Sequence, residues 1–195
     1  MDYDIIVALV IYCFVQAATP GPNNVMLIAS SANFGVVRTV PHMLGISGGL
    51  VMMLMVVGVG LAEVFELYPL LLTILRGLCA VYLLYLAYRI ATAAAPQSGE
   101  GGKPLTALQA ALFQWVNPKA WAMALGAVTV YAPDTTFSSV LMVAVVMGLV
   151  SLPSMAIWVV AGTQIARFLR GRRLVIFNWS MAILLVASLL PAFLG

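Results

Sequence analysis

Lys119 is the residue whose setting demands most explanation. It follows Asn117-Pro118 inside a long apolar stretch. Asn117 is a favourable helix N-cap and Pro118 a favourable first helical residue. A helix is therefore expected to start there, with the Asn117 side-chain oxygen accepting from the N–H of Lys119 or Ala120. A cation in the first turn opposes the helix dipole. A lysine near the centre of a bilayer costs about 3 kcal/mol. Two unfavourable terms at one position point to a visiting anion such as a carboxylate. The alternative is structural: Lys119 snorkels to an interface, or bonds orphan carbonyls of the preceding half-helix.

A second interruption is Thr19-Pro20-Gly21-Pro22-Asn23-Asn24, within an uncharged run from Ile5 to Val37. Pro20 and Pro22 lack an N–H and push Thr19 and Gly21 out of the α region. The run is expected to be a half-helix from Ile5 to Ala18, extended backbone, and a second half-helix from about Pro22. The N–H groups of Asn23, Asn24 and Val25 then point into the gap. The carbonyls ending the first half-helix near Ala18 suit an ammonium group. Helix N-termini together with Lys119 suit a carboxylate. Both groups on one ligand make a free amino acid, with Thr19, Asn23, Asn24 and Gln114 as neutral hydrogen-bonding residues.

The remaining candidates are fewer. Arg76 is either a further charge in the cavity or a partner of Glu63 or Glu66. His42 can titrate near neutral pH, but a lone histidine near an interface is more often structural. Gly45-Ile46-Ser47-Gly48 matches the GxSG pattern of intramembrane serine proteases. His42, the one histidine of the chain, is the only available base. It sits five residues from Ser47, about 140° around one helix, which is poor geometry for a nucleophile–base pair. Gly45 and Gly49 read first as a close helix contact. Tyr82, Tyr85 and Tyr88 at helical spacing read as packing. Cys13 and Cys79 have no CxxC spacing and read as reduced core thiols. No residue grouping reads as a metal or cofactor site.

These residues must be positioned by membrane-spanning helices. The chain has 195 residues, 64% hydrophobic and 8% charged, against roughly 25% charged in a soluble domain. The acidic start, Asp2 and Asp4, is not read as a signal peptide. A net charge of +3 does not indicate nucleic acid, since the basic residues lie between apolar spans. Six spans are expected. The first ends near Asn33, Gly35 and Arg38, and the second runs from about Pro41 to Ala62. The third runs from Tyr68 to Ala91, the fourth from Thr106 to Tyr131, the fifth from Phe137 to Gly162 and the sixth from Leu174 to Phe193. Thr92 to Leu105 is the one linker-like stretch. Pro153 hinges or kinks the fifth span.

Arg38, Arg89, Lys103, Arg167, Arg170, Arg172 and Arg173 all fall on one side of this arrangement. The other side carries Asp2, Asp4, Glu63, Glu66 and Asp134 and no basic residue. Basic residues mark the cytoplasmic side, so both termini are expected outside. The linker then divides the chain into three spans and three spans, and an odd number inverts the second half. The expected fold is an all-α integral membrane protein of six transmembrane helices, in two inverted three-helix repeats with helices 1 and 4 broken. Residues 1–195 form a single transporter domain, with repeat one over 1–95, the cytoplasmic linker over 92–105 and repeat two over 104–195. Breaks at matching positions of two halves mark a transport site near the midplane. The site set is Thr19, Pro20, Gly21, Pro22, Asn23, Asn24, Gln114, Asn117, Pro118 and Lys119. The acidic residues Asp2, Asp4, Glu63, Glu66, Glu100 and Asp134 lie at span ends or in loops. The candidates for energy coupling are Lys119, His42 and Glu63, with Arg76 beside them.

Thr19-Pro20-Gly21-Pro22-Asn23-Asn24, Gly77 through Tyr82-Leu83-Leu84-Tyr85-Leu86 to Arg89, and Asn117-Pro118-Lys119-Ala120 resemble the LysE/RhtB family of bacterial amino-acid exporters. The resemblance covers nearly the whole chain. Leu112-Phe113-Gln114-Trp115-Val116-Asn117 is most similar to the branch that exports cysteine and O-acetylserine. The resemblance implies a secondary transporter, not an enzyme. It would export a small amino acid or derivative across the bacterial inner membrane, driven by the proton gradient. The implied partners are that substrate, protons and the lipid bilayer, and a homodimer is compatible with them. The competing readings are the intramembrane protease and a non-transport membrane scaffold. A scaffold leaves both breaks and Lys119 unexplained.

Overall fold

Helix is the only regular structure among the residues described by the computed structural model: 3–61, 67–92 and 103–188, less the side chains of Leu61, Pro69, Leu72, Leu75, Arg76 and Cys79. The helices are α1 (Tyr3–Ala18), α2 (Pro22–Phe34), α3 (Val36–Val56), α4 (Pro69–Ala91), α5 (Ala107–Trp115), α6 (Pro118–Tyr131), α7 (Phe137–Ala166) and α8 (Arg172–Ala187). The stretches expected as the first and fourth spans are each split into two helices. The expected Arg76 pairing with Glu63 or Glu66, Cys79, and most of the 92–105 linker lie outside the described residues.

The splits fall where proline dictates. α1 and α2 meet at 59° across Thr19-Pro20-Gly21, and Pro22 takes the first helical position of α2. Thr106 opens α5 with a reciprocal capping box to Gln109, which satisfies two otherwise unpaired donors. Asn117 then caps α6 through Lys119 N–H at 3.1 Å, with Pro118 first in the helix.

Two long helices carry the bundle. α3 runs on through a π turn, so Val36–Gly60 has 25 residues, and α7 has 30. At 1.5 Å per residue both exceed a hydrocarbon core of about 30 Å. Both are apolar enough to cross a membrane, and the bent α1–α2 pair passes the same test as one span. The chain is an all-helical membrane protein. Its outward faces agree, since Ile11, Val37, Val59, Val81 and Leu149 are all exposed.

Two expectations shift, at the start of α3 and among the tyrosines. α3 begins at Val36, not near Pro41, so Pro41 lies inside it. The α2–α3 connection is Gly35 alone, at φ 81°, a backbone state open to glycine at little cost. Ser30 and Thr39 bridge the two helices beside it with a 3.0 Å hydroxyl contact. α7 continues through Pro153 as one helix. Of the three tyrosines only Tyr82 packs inward, 6.1 Å from Phe113 between ring centres, while Tyr85 and Tyr88 are exposed. Cys13 is buried and free, as expected.

α3 packs on α5 and α7, α1 and α2 on α7, and α4 on α8. The Gly45/Gly49 pair makes the α3–α5 contact. A Cβ built on Gly45 would lie 2.2 Å from the Ala107 carbonyl oxygen, and one on Gly49 would lie 2.7 Å from Ala111 Cα. Backbone meets backbone there, as small residues permit in membranes. That close approach seats α5, and hence the second break, against the centre of the bundle.

Candidate functional site

The two breaks lie against each other. Lys119, in the first turn of α6, reaches back across them: its Nζ donates to the Thr19 carbonyl at 2.6 Å and to the Pro20 carbonyl at 3.5 Å. These are orphan acceptors beyond the end of α1, where a cation is favoured by the helix dipole. Gly21 makes the approach possible, since a Cβ there would lie 2.7 Å from Lys119 Cδ. The unfavourable helix start of Lys119 is thus offset by another helix's C-terminal end.

A second link runs beside it. Asn23 and Gln114 form a reciprocal amide pair, Asn23 Nδ2 donating to Gln114 Oε1 at 2.9 Å and Gln114 Nε2 returning to Asn23 Oδ1 at 3.2 Å. Gln114 also donates to the Ala110 carbonyl at 2.9 Å, tying α2 to the last turn of α5. Asn24, buried, donates to the carbonyls of Ala17 and Thr19 at 2.9 and 2.8 Å. It therefore pins α2 to the end of α1. Trp121 Nε1 spans the other break to the Trp115 carbonyl at 2.9 Å.

The expected set is therefore brought together, with three adjustments. The Thr19 hydroxyl bonds back to Val15 and Gln16 in α1, so Thr19 offers the site its carbonyl. Val25 N–H is taken by the Gly21 carbonyl at 3.0 Å, so it does not point into the gap. The carbonyls expected to meet a ligand ammonium hold Lys119 and Asn24 instead. Lys119 bonds the opposite break, not carbonyls of the preceding half-helix.

Space at the breaks is small. A void of about 20 Å³ is lined by Gly21, Asn23, Asn24, Asn117 and Lys119, and also by Gln16, Ile46, Leu50, Met123, Ser151 and Met155. That is room for about one water. The polar groups at the breaks are thus largely taken up by one another. Sequence reasoning missed the α3 and α7 residues of this wall. Ile46 and Leu50 share a face with the Gly45/Gly49 contact, four residues apart, which is the signal that would have found them. Ser151 carries none, because its hydroxyl bonds its own helix at the Gly148 carbonyl, 2.8 Å away.

The other candidates stand apart. Ser47 Oγ donates to the Gly148 carbonyl at 2.8 Å across the α3–α7 contact. The His42 ring nitrogens have no hydrogen-bond partner among the described residues. Ser47 and His42 thus form no nucleophile–base pair. The Arg76 side chain lies outside the described residues. Among them, no cluster of residues suits a metal ion.

Comparison with known proteins identifies the family. The chain is 29% identical over 180 residues to the cysteine/O-acetylserine efflux protein of Escherichia coli (strain K12), covering 90% of each chain. The proteins of the same name from Shigella sonnei (strain Ss046) and Shigella flexneri match to the same extent. No solved structure matches. The model of the LysE type translocator family matches residues 14–192, a span that takes in both breaks, and the chain belongs to that family.

Proposed function

We propose that this translocator is a secondary transporter that exports a small amino acid or derivative, with its substrate site at the apposed breaks. The observation that carries this is the Lys119 ammonium seated on the Thr19 and Pro20 carbonyls, beside the Asn23–Gln114 pair. A substrate carboxylate would draw Lys119 off those carbonyls, and they would then accept the substrate ammonium. One exchange of partners serves both ends of an amino acid. The relatives named for cysteine and O-acetylserine efflux direct the substrate class to small polar amino acids. Membership of a translocator family sets aside the protease and scaffold readings.

The inverted-repeat reading has support in the packing. Matching α1–α4 with α5–α8 in order turns the α3–α5 contact into α7–α1 and α2–α7 into α6–α3. It turns α2–α3 into α6–α7, while α3–α7 and α4–α8 map onto themselves, and all of these pairs pack together, whereas α2–α8 and α1–α6 have no comparable counterpart. We therefore take residues 1–95 and 104–195 as repeats of one transporter domain in the inner membrane. Rocking of one repeat on the other would expose the breaks alternately to the two sides. The basic ends place residues 92–105 in the cytoplasm and both termini in the periplasm. A phosphatase reporter fused after Gly195 should be active in the periplasm; a fusion active only in the cytoplasm would reverse the orientation.

Transport itself is tested by counterflow in proteoliposomes over a panel of labelled amino acids. Small polar amino acids and O-acetylserine should exchange, and their decarboxylated amines should fail to compete. Absence of exchange with every amino acid would defeat the reading, and equal competition by the amines would remove the carboxylate from it.

A further inference from the structure

A cavity larger than the void at the breaks lies away from them. It lies at the basic end of the bundle and has a volume of about 290 Å³, near the low end of the roughly 300–1,000 Å³ typical of small-molecule sites. α2 contributes Met26, Ser30 and Asn33, the start of α3 contributes His42, and the end of α4 contributes Leu86 and Arg89; Lys103 closes the rim.

Its polar groups are unequally satisfied. Ser30 bonds Thr39, and Asn33 bonds the Ala29 carbonyl and Asn178. Arg89 gives one nitrogen to the Lys103 carbonyl at 3.3 Å, which leaves the rest of its five-donor fork. His42 is 1% exposed, and neither ring nitrogen finds a partner among the described residues. A buried imidazole without a partner is costly, and here it lines a cavity with two cations at its rim. Among the described residues that line it, none is acidic.

We propose that this cavity is a second ligand site, an inner vestibule for a small carboxylic acid. The carboxylate sits against the Arg89 guanidinium and the Lys103 ammonium, and a hydrogen-bonding group at the other end of the ligand meets His42. Arginine suits the carboxylate because its planar fork can bind both oxygens. Met26 of the vestibule lies one helical turn from Asn23 of the amide pair. A molecule held here is thus next to the element that forms the first break. Identifying this ligand with the transported substrate rests on the exporter reading; binding in the vestibule does not.

The single histidine of the chain gives a clean readout. The full chain, purified without a histidine tag and labelled with 15N only at histidine, is titrated in micelles with O-acetyl-L-serine. The His42 imidazole signals should shift saturably in the wild type and equally in Lys119→Ala. Half-saturation should rise roughly tenfold in Arg89→Gln, the effect of losing one charge-assisted contact, and recover partly in Arg89→Lys. Propionate, a carboxylate alone, should bind more weakly by the same route. No shift in the wild type would overturn the vestibule, and so would a shift that Arg89→Gln leaves untouched or that Lys119→Ala abolishes. Failure of the exporter reading looks different: His42 would still respond while proteoliposomes show no counterflow.

Discussion

Lys119→Ala should cut export roughly 10- to 100-fold while the protein still reaches the membrane. Losing a hydrogen bond to a charged group typically costs about 1.5–3 kcal/mol, and each 1.36 kcal/mol is tenfold. Folding should survive, because the Asn23–Gln114 pair, the Asn24 contacts and the Asn117 cap hold the breaks without Lys119. The measurement is counterflow at matched protein level, with Asn117→Ala as a comparison that weakens the α6 cap but keeps the cation. Normal exchange by Lys119→Ala would leave the ammonium a purely structural plug for the Thr19 and Pro20 carbonyls. Lys119→Arg separates binding from coupling. Arginine keeps the charge but does not release a proton in this pH range. Exchange should persist in part while pH-driven accumulation is lost; retained accumulation would move the coupling role to His42.

Gly45→Val should have the largest effect on the protein itself. Its Cβ would fall 2.2 Å from a backbone carbonyl of α5, where no side chain can turn aside. Overpacking of cores costs about 1–3 kcal/mol and more where backbone must move, enough to lower cellular abundance several-fold. Gly48→Ala, three residues on, meets nothing within 4 Å and should leave abundance unchanged. Abundance and melting temperature of the two variants in detergent check this. Equal stability would show that α3 and α5 separate freely, and that the second break is not held by this contact.

Both breaks and the Asn117 cap were legible in the sequence because proline and asparagine act locally. Pro22 and Pro118 have one comfortable place in a helix, and each took it. The Gly45/Gly49 spacing was legible for a similar reason: it leaves only backbone on one helix face. Partners were not legible. The sequence shows that Lys119 needs an anion or an acceptor, but the acceptors it uses are carbonyls about a hundred residues away. Asn23 and Asn24 were read as ligand-facing because an amide serves a ligand or a helix end equally well, and only the three-dimensional arrangement decides between them. The start of α3 was misread because Pro41 is a helix-start signal, whereas Gly35 at positive φ turns the chain in a single residue. Asn33 and Asn178, paired across α2 and α8 at 2.9 Å, lie in apolar runs with no local signal linking them. The vestibule was invisible because it is assembled from three helices and the segment from Lys103 to Leu105.

The central claim is that a positive charge at position 119, at the meeting of two broken helices, receives the substrate carboxylate. Lys119→Cys, in a background with Cys13 and Cys79 replaced by alanine, tests it most directly. The variant is reconstituted and treated with 2-aminoethyl methanethiosulfonate, which attaches an ammonium one atom farther out than that of lysine, or with the sulfonatoethyl reagent, which attaches an anion. Untreated Lys119→Cys should be inactive in counterflow, the ammonium adduct should recover a substantial part of exchange, and the sulfonate adduct should recover none. Full exchange before treatment, or equal recovery by both adducts, would contradict the account.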